Sequence, residues 1–424
     1  MKTTKNKTVY EKDINNLKGK ANTIVFPDGD EEIRNIIKLS ELDIIPRGSG
    51  MSFSSACLPN DSVIIDMSKK NKIIEVDKIK KTVYLEAGVI IDELNQELEK
   101  YGLELPIEPI FSGIRTIGGV IATNSSGGRE LKYGRIRNWI DSLEVIDGKG
   151  ELLNISKSDA SDFVGMEGTN GIIVRAKLRL TTKKQRTISI LRTDSVEQII
   201  ELGKKLKLDH EVSMFKLIGK KLSRLLGLQS KYHIFIEYES SKGTMREEKY
   251  EEFSRLLNKC YPCLASNDYP MLEDPRFFMD KIKDFFFYLE ERDIPYFCNL
   301  GSGVVYCAFQ DKEKEKKENT LEFVKRIRGR VSDSLGIGLT KKQFLDRTEI
   351  EIIKRIKARH DPQNKFNRNK LIDYTPEKTK EPVQEPSQNE EIQETKTPEQ
   401  IMEEFIEEQK IDEILSAKPI EEKK

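Results

Sequence analysis

The chain reads as an α+β protein of more than one domain that ends in a polar tail. Three observations predict this. Short β-branched runs are closed by Gly, Pro and Asp turns, with amphipathic helices between them. At 424 residues the chain is long for a single core. The third is a shift in charge: Thr375–Lys424 carries 15 acidic and 7 basic residues, leaving 57 acidic and 65 basic in Met1–Tyr374. Content that is 37% hydrophobic and 34% charged fits a soluble protein with a disordered part. The basic excess of the body suits an anionic cofactor or substrate, but it is spread too thinly for a nucleic-acid surface. No apolar run approaches the roughly 18 residues of a membrane span. Met1–Lys20 lacks the apolar core of a signal peptide. The expected location is cytoplasmic, with attachment to a membrane only through a partner.

Asn22–Phe26 is a β-branched run ending in the turn signal Pro27-Asp28-Gly29-Asp30. Ile33, Ile36, Ile37 and Leu39 then recur at helical spacing, predicting a helix over Glu31–Leu42 capped by Asp30. Ile44–Ile45 returns as a strand and runs into Pro46-Arg-Gly-Ser-Gly-Met-Ser52. Pro46 lacks an amide hydrogen and cannot sit in a central strand. Gly48 and Gly50 permit positive φ and the close approach of another molecule. Such a loop is either a plain chain reversal or a nest of amides suited to a phosphate. Phe53 stands where a third glycine would complete a dinucleotide fingerprint, and no GxxxxGK[ST] run exists.

Val63–Asp66, Ile73–Val76 and Thr82–Ala87 read as strands, the last closed by Gly88. Leu94, Leu98 and Tyr101 share one face of a helix predicted over Ile91–Tyr101, with Gly102 as its stop. Thr116–Gly128 contains two glycine pairs and Asn124, a second place where backbone can approach a ligand; Tyr133-Gly134 follows. Asp141–Ile146 and Glu151–Ile155 form a hairpin about Asp147-Gly148. Gly165–Val174 is a third glycine-rich turn entering a strand. Beyond Thr187 the glycine motifs stop. Strands are predicted at Ser189–Arg192, Val212–Leu217 and His233–Tyr238, and helices at Val196–Lys207, Met245–Asn258, Asp280–Leu289 and Glu313–Arg328. Phe285-Phe-Phe-Tyr288 fits core packing better than a ring-stacking box. Arg276 reads as a surface arginine or as a fork for a substrate carboxylate, and His360 as a surface or structural residue. Cys260-Tyr-Pro-Cys263 has no second pair at metal spacing, so its cysteines read as ordinary thiols.

Six stretches taken in order carry a resemblance: Pro46–Ser52, Leu85–Gly88, Thr116–Gly119, Ala122–Asn124, Tyr133-Gly134 and Glu167-Gly168 with Gly171–Ile173. Residues from about Asn22 to Thr182 resemble the FAD-binding domain of the vanillyl-alcohol-oxidase, or PCMH-type, flavoproteins. The branch holding D-lactate dehydrogenase, glycolate oxidase and D-2-hydroxyglutarate dehydrogenase is the most similar. The resemblance implies an N-terminal segment 1–21, a two-subdomain FAD-binding domain over 22–185 and an α+β cap over 186–374 that makes the substrate pocket. It implies FAD held by Pro46, Arg47, Gly48, Ser49, Gly50, Met51, Ser52, Thr116, Gly118, Gly119, Asn124, Gly128, Tyr133, Gly168, Gly171 and Ile173. The backbone of Gly48–Ser52 and of Gly118–Gly119 would supply amide donors to its diphosphate. Members that bind flavin covalently often carry a histidine after the loop's second glycine; Met51 stands there, so the flavin is expected to be non-covalent. Hydride would pass from a small substrate, a 2-hydroxy acid in that branch, and electrons would go on to a separate acceptor or partner subunit.

Two motifs depart from the branch. Its HxGDGNxH metal motif corresponds to Asn299–Tyr306, with Asn299 and Tyr306 in place of both histidines and Ser302 in place of the aspartate. Its EHG corresponds to Ser334-Leu335-Gly336. Amide, phenol and hydroxyl are poor ligands for a zinc-like ion, and leucine cannot accept a proton. The resemblance therefore assigns neither a catalytic residue nor a metal ligand. It leaves two functions: an FAD-dependent oxidoreductase, and a non-catalytic or accessory FAD-binding subunit of a multi-component oxidase. Gly336-Ile-Gly338 and Asp361–Asn367 are similar to the family's closing segments.

The tail is expected to be a disordered linker over 375–396 and an amphipathic acidic helix over 397–424. Thr397 would cap that helix, and Ile401, Met402, Phe405, Ile406, Ile411, Ile414 and Leu415 would form its apolar stripe. It reads as a docking element for the cap or a partner, or as a solubilising tail.

Overall fold

The first sheet shows why the chain begins as it does. In this computed structural model, which describes residues 2–245 and 248–376, β1 (Lys2–Thr3), β2 (Lys20–Phe26), α1 (Asp30–Leu39), β3 (Ile44–Arg47) and β4 (Asn60–Asp66) come first. The strands lie in the order β1-β2-β4-β3, with β2, β4 and β3 parallel. Side chains alternate across it, as period-2 geometry requires. Ile44 and Ile65 face α1 and pack with Ile33 and Ile37, while Ile45 and Ile64 face Tyr10, Ala21 and Ile24 on the other side. Pro46 is tolerated because β3 ends the strand order and the short pairing on its outer side reaches only Ile44. Two expectations are corrected here. Gly29, not Asp30, is the N-cap of α1, and Asp30 instead turns its carboxylate to Arg175. The helix stops at Leu39, where Ser40 is already extended.

The second sheet follows: β5 (Ile73–Asp77), β6 (Thr82–Glu86), α2 (Ile91–Glu99), β7 (Leu103–Glu104), α3 (Ile117–Ala122), α4 (Glu130–Tyr133), β8 (Ile140–Asp147), β9 (Leu152–Ser156), β10 (Gly171–Arg179) and β11 (Thr181–Thr182). Strands β5-β6-β10-β8-β9 are antiparallel throughout, and β7 pairs with β11 apart from them. Leu94 and Leu98 of α2 pack with Val83, Leu85, Val120 and Leu143 in one core. Tyr101 lies past the end of α2 and is partly exposed, and Gly102 takes the left-handed turn expected of a stop, at φ 66°.

The third sheet comes from β12 (Thr187–Thr193), α5 (Val196–Leu206), β13 (Val212–Ile218), α6 (Lys220–Leu225), β14 (Tyr232–Tyr238), α7 (Glu248–Asn258), α8 (Cys260–Ser266), β15 (Met271–Glu273), α9 (Met279–Glu291), β16 (Tyr296–Asn299), β17 (Val304–Phe309), α10 (Lys314–Arg326) and α11 (Arg347–His360). Its order is β12-β14-β13-β16-β17-β15. Both faces are covered, so its strands read as nearly unbroken apolar runs. Phe215, Ile234, Cys298 and Val305 pack with α5 and α9 on one face, joined by Phe285, Phe286 and Tyr288, which are core residues. Phe235, Phe297, Val304 and Tyr306 face the other way and pack with Phe53, Phe111 and Leu335. Met245 is not helical as expected; it forms a bridge with Ile188, and α7 starts at Glu248.

After α11 the chain returns to its beginning. Phe366 pairs with Ile44, and Asn367 donates its amide to Ile44 O at 3.0 Å, so residues 366–367 extend the first sheet beyond β3. Among the described residues no helix is long and apolar enough to cross a membrane. The expected tail helix over 397–424, and the linker from residue 377, lie outside the described residues.

Candidate functional site

From the sheet edge the chain turns through Gly48–Ser52. Among the described residues the amides of these five residues meet no protein acceptor. Gly50 is left-handed at φ 72°. A Cβ on Gly48 would stand 2.2 Å from Thr116 Oγ1, and one on Gly50 2.2 Å from Arg47 Nη2. Free amides on a loop that excludes side chains form a concave donor surface, the geometry that receives an anion. The N-terminal segment props this loop. Arg47 stacks on the Tyr10 ring at 4.5 Å and donates to Val9 O at 3.3 Å, while the Tyr10 hydroxyl donates to Asp66 at 2.7 Å.

The other glycine motifs form the facing walls. Thr116 caps α3 by accepting the Gly119 amide at 3.3 Å, and the Gly118 amide is taken by Ala87 O at 2.7 Å. Gly118 and Gly119 are thus not free donors. A Cβ on Gly118 would stand 2.9 Å from the Ala87 Cβ, so this glycine lets α3 seat against the end of β6. Glu167 and Gly168 are both left-handed, at φ 50° and 68°. The buried Glu167 carboxylate accepts the amides of Ile337 and Gly338 at 2.6 and 3.0 Å, and Asn367 Nδ2 donates to Glu167 O at 2.8 Å. Behind this wall lies Lys370, whose ammonium donates to Asn367 Oδ1 at 3.0 Å and is pushed down to about 8 by burial.

These walls line an open cleft of about 900 Å³, the solvent at its mouth included. Pro46–Ser52, Thr116, Gly118, Gly119, Gly168, Gly171 and Ile173 all line it. Three expected residues stand elsewhere. Gly128 lines the second cleft described below, where a Cβ would come within 2.5 Å of Lys216 Cε. Tyr133 donates its hydroxyl to Glu239 at 2.5 Å, tying α4 to the third sheet. Asn124, left-handed at φ 45°, has a buried Oδ1 with no partner. Cys57, Arg115 and Phe163 also line the first cleft but were not anticipated. For Arg115 a signal existed: a lone charge directly before Thr116-Ile-Gly-Gly.

A second cleft of about 1030 Å³ lies against the inward face of the third sheet. Asp92, Glu108, Phe111, Lys216, Asn299 and Tyr306 are among its walls. The two clefts adjoin along one stretch of chain, with Gly113 and Ile114 lining the second and Arg115 and Thr116 the first. Burial pushes Tyr306 upward, so it is a neutral phenol and a hydrogen-bond donor. Asp92 is also pushed up by burial, against its hydrogen bond with Ser112. Leu335 is packed among Phe53 and Tyr306, and its loop is held by its backbone: Asp274 accepts the amides of Ser334 and Leu335 at 2.6 and 2.7 Å.

The remaining candidates have structural partners. Arg276 forms ion pairs with Glu130 at 2.6 Å and Asp333 at 2.9 Å. His360 ends α11, contacts Asp162 at 2.8 Å and packs on the Phe163 ring. Cys260 is buried and pushed up to about 12, so it stays a thiol. A cluster of buried ions ties the first half of the chain to the third sheet. Glu237 accepts from Arg129 at 2.8 and 3.0 Å and from Ser213 at 2.6 Å, and Arg186 bridges Glu104 and Glu239.

Residues 21–156 match a family described as an FAD binding domain. The chain is 23% identical over 419 residues to D-2-hydroxyglutarate dehydrogenase of Stutzerimonas stutzeri, covering 82% of this chain and 90% of that protein. It is 25% identical over 405 residues to D-lactate dehydrogenase of Archaeoglobus fulgidus, covering 82% and 91%. The glycolate oxidase subunit GlcD of Bacillus subtilis is 32% identical over 181 residues, 40% of this chain and 38% of that one. A solved structure of alkyldihydroxyacetonephosphate synthase shares the fold, with a TM-score of 0.61 at 18% identity over 83% of this chain and 76% of that chain. FAD is the cofactor of this chain, bound through the FAD-binding domain that residues 21–156 match, and over most of its length the chain is similar to D-2-hydroxyglutarate and D-lactate dehydrogenases.

Proposed function

We propose that this chain oxidises a small 2-hydroxy acid, with FAD bound non-covalently in the first cleft and the acid in the second. The observation that carries the reading is the row of unpartnered amides at Gly48–Ser52, facing a cleft that adjoins a second one. The residues fit the cofactor. The loop would cradle a diphosphate where any Cβ on Gly48 or Gly50 would intrude. Met51 offers no attachment point for flavin, and Cys57 is pushed up by its burial, which leaves it a weak nucleophile. Bound FAD supplies a two-electron acceptor for the hydride that leaves the substrate carbon.

The chain's own residues hold the acid, exclude water and take its hydroxyl proton. Phe111 and Phe297 wall the second cleft against solvent. Asp92 and Glu108 are its carboxylates, and one held above its ordinary pKa is the better proton acceptor. A divalent ion does not fit: Asn299, Tyr306, Ser334 and Leu335 supply no imidazole or carboxylate, so no step runs through a metal. Electrons leave to a separate acceptor or partner subunit. An accessory role is the second reading, favoured by Leu335, which cannot carry a proton. Anaerobic mixing of the yellow protein with a panel of 2-hydroxy acids separates the two. Bleaching of the flavin band by one acid supports the enzyme. No bleaching alone, followed by bleaching once a co-purified subunit is added, supports the accessory role.

A further inference from the structure

Resting on the proposed oxidation of a small acid, we propose that Arg115, with the hydroxyls of Tyr306 and Ser334, forms the binding site for that acid's carboxylate where the two clefts adjoin. Arg115 is 6% exposed. Its Nη2 donates to Thr123 Oγ1 at 2.8 Å, and its Nη1 is buried with no partner. Most other cations of the interior are neutralised: Arg129 by Glu237, Arg186 by Glu104, Lys341 by Glu273 and Lys357 by Asp361, while the buried Lys370 has no ion pair and donates to Asn367 Oδ1. Of Arg115 and Lys370, neither with an ion pair among the described residues, Arg115 is the one that lines the first cleft. A buried guanidinium without a counter-charge is costly, and an anion that enters the cleft relieves that cost.

A chain of hydroxyls leads from Arg115 to the loop of Ser334: Thr123 Oγ1 shares a hydrogen bond with Ser125 Oγ at 2.7 Å, and Ser125 Oγ donates to Ser334 O at 3.4 Å. The Tyr306 hydroxyl and Ser334 Oγ are both buried and lie near each other, and beyond that mutual contact neither has a partner among the described residues. Tyr306 and Asp274 are both near enough to Arg115 to bear on its charge. The nearby carboxylates cannot serve as the missing counter-charge, because they are already engaged. Asp274 holds the amides of Ser334 and Leu335 and faces Lys341, and Asp333 pairs with Arg135 and Arg276. Arg115 keeps its proton at neutral pH even though burial pushes it down to about 10. A carboxylate has two oxygens in one plane: one meets Nη1 and the other meets the phenol. A neutral ligand would satisfy the hydroxyls and leave the charge bare. Phe111 and Phe297 in the adjoining cleft favour an acid with an apolar body.

The test titrates phenylpyruvate, and phenylacetamide as the neutral control, into FAD-loaded protein and reads the perturbation of the flavin band. Wild type is compared with Arg115→Lys, Arg115→Ala and Tyr306→Phe. We expect Arg115→Ala to weaken phenylpyruvate binding about 30-fold and Tyr306→Phe several-fold, with Arg115→Lys in between. FAD affinity, measured by fluorescence, should stay within about twofold of wild type, and phenylacetamide should not distinguish the variants. Arg115→Ala that stays loaded with FAD and binds phenylpyruvate as wild type does would overturn the site. So would loss of FAD in step with loss of acid binding in Arg115→Lys and Arg115→Ala alike, since that places Arg115 on the cofactor. Wild-type protein that holds no FAD overturns the proposed function itself, which is a separate result.

Discussion

Gly48 offers the sharpest test of the loop, because a single atom at that position meets a single atom opposite. A Cβ there would lie 2.2 Å from Thr116 Oγ1, 3.3 Å from its Cβ and 3.4 Å from its Cγ2. The first contact is far inside van der Waals distance, and the others are tight but tolerable. Gly48→Ala therefore forces either the loop or Thr116 to move. Thr116 is not free to do so, since its hydroxyl caps α3 through Gly119. Overpacking of this kind costs about 2 kcal/mol. The free loop, with its amides unpartnered, relaxes outward and escapes the cost. The bound loop cannot, so the cost falls on FAD affinity as a loss of about 30-fold. Thr116→Ala removes the offending oxygen and its methyl, and costs about 1 kcal/mol in lost capping. In the double variant Gly48→Ala/Thr116→Ala the clash is gone, so the two effects are not additive. FAD affinity should recover most of the loss seen in Gly48→Ala alone. Fluorescence titration of apoprotein with FAD measures all four proteins. Wild-type affinity in Gly48→Ala, or a double variant as weak as the product of the single losses, would refute the geometry.

Three further outcomes follow from the structure. Flavin should appear in the supernatant after acid precipitation, because Met51 and a raised Cys57 thiol offer no attachment; yellow retained in the pellet would exclude non-covalent binding. Glu237 is fully buried, and against the upward push of that burial Arg129 holds it down to about 2. Its stabilisation is present above the ordinary carboxylate range and fades as pH falls from about 4.5 towards 2. Glu237→Gln should lose about 3–5 kcal/mol at neutral pH, read by urea denaturation, with the gap to wild type narrowing in acid. Lys370 carries the opposite sign: its folded value of about 8 lies below the ordinary 10.4 or so, so the unfolded chain binds more protons in between and wild-type stability rises with pH through that window. Lys370→Met should raise the melting temperature at pH 6.5 and lose that advantage by about pH 10. An offset that does not change with pH would show that desolvation of Lys370 is not the cause.

The glycine loops were legible because what they need is local. Gly50 must be left-handed and Gly48 must be bare, and both demands are written in residue type. The amphipathic helices and most strands were legible for the same reason, as periodicity alone places Ile33 and Ile37, or Ile44 and Ile65, on a common face. What the sequence hid depends on contacts between distant segments. Asp30 has the right chemistry and position for a cap, but Arg175 of β10 draws it away. Gly118 and Gly119 look like donors to a ligand until the folded chain brings Ala87 O and Thr116 Oγ1 to their amides. Nothing in the local sequence marks Lys341, Lys357 and Lys370, and all three are buried. The conjunction of Arg115 with Tyr306 joins segments separated by about half of the chain's body, and no spacing rule connects them.

The altered motifs raise the question of how chemistry at a site can change while the site survives. The answer lies in which atoms hold the loop over 332–338. Asp274 binds the amides of Ser334 and Leu335 and the hydroxyl of Ser332, and Lys341 faces its carboxylate. Glu167 binds the amides of Ile337 and Gly338 from the opposite side. Four of these bonds go to backbone N–H groups, which every residue except proline possesses. The shape of the loop is therefore nearly independent of the side chains at 334 and 335. A leucine there packs on Phe53 and Tyr306 without disturbing the frame, even though it removes any proton transfer from that position. A frame built on amides keeps the cleft, while the charge that faces a ligand is supplied elsewhere. In this chain that charge sits on Arg115, anchored through its own amide to Phe111 O and through its carbonyl to the amide of Ile91. On the proposed assignment, acid binding and cofactor binding are separable. The Gly48 and Thr116 variants should change FAD affinity, and the Arg115 and Tyr306 variants acid affinity, with little crossover between the two sets.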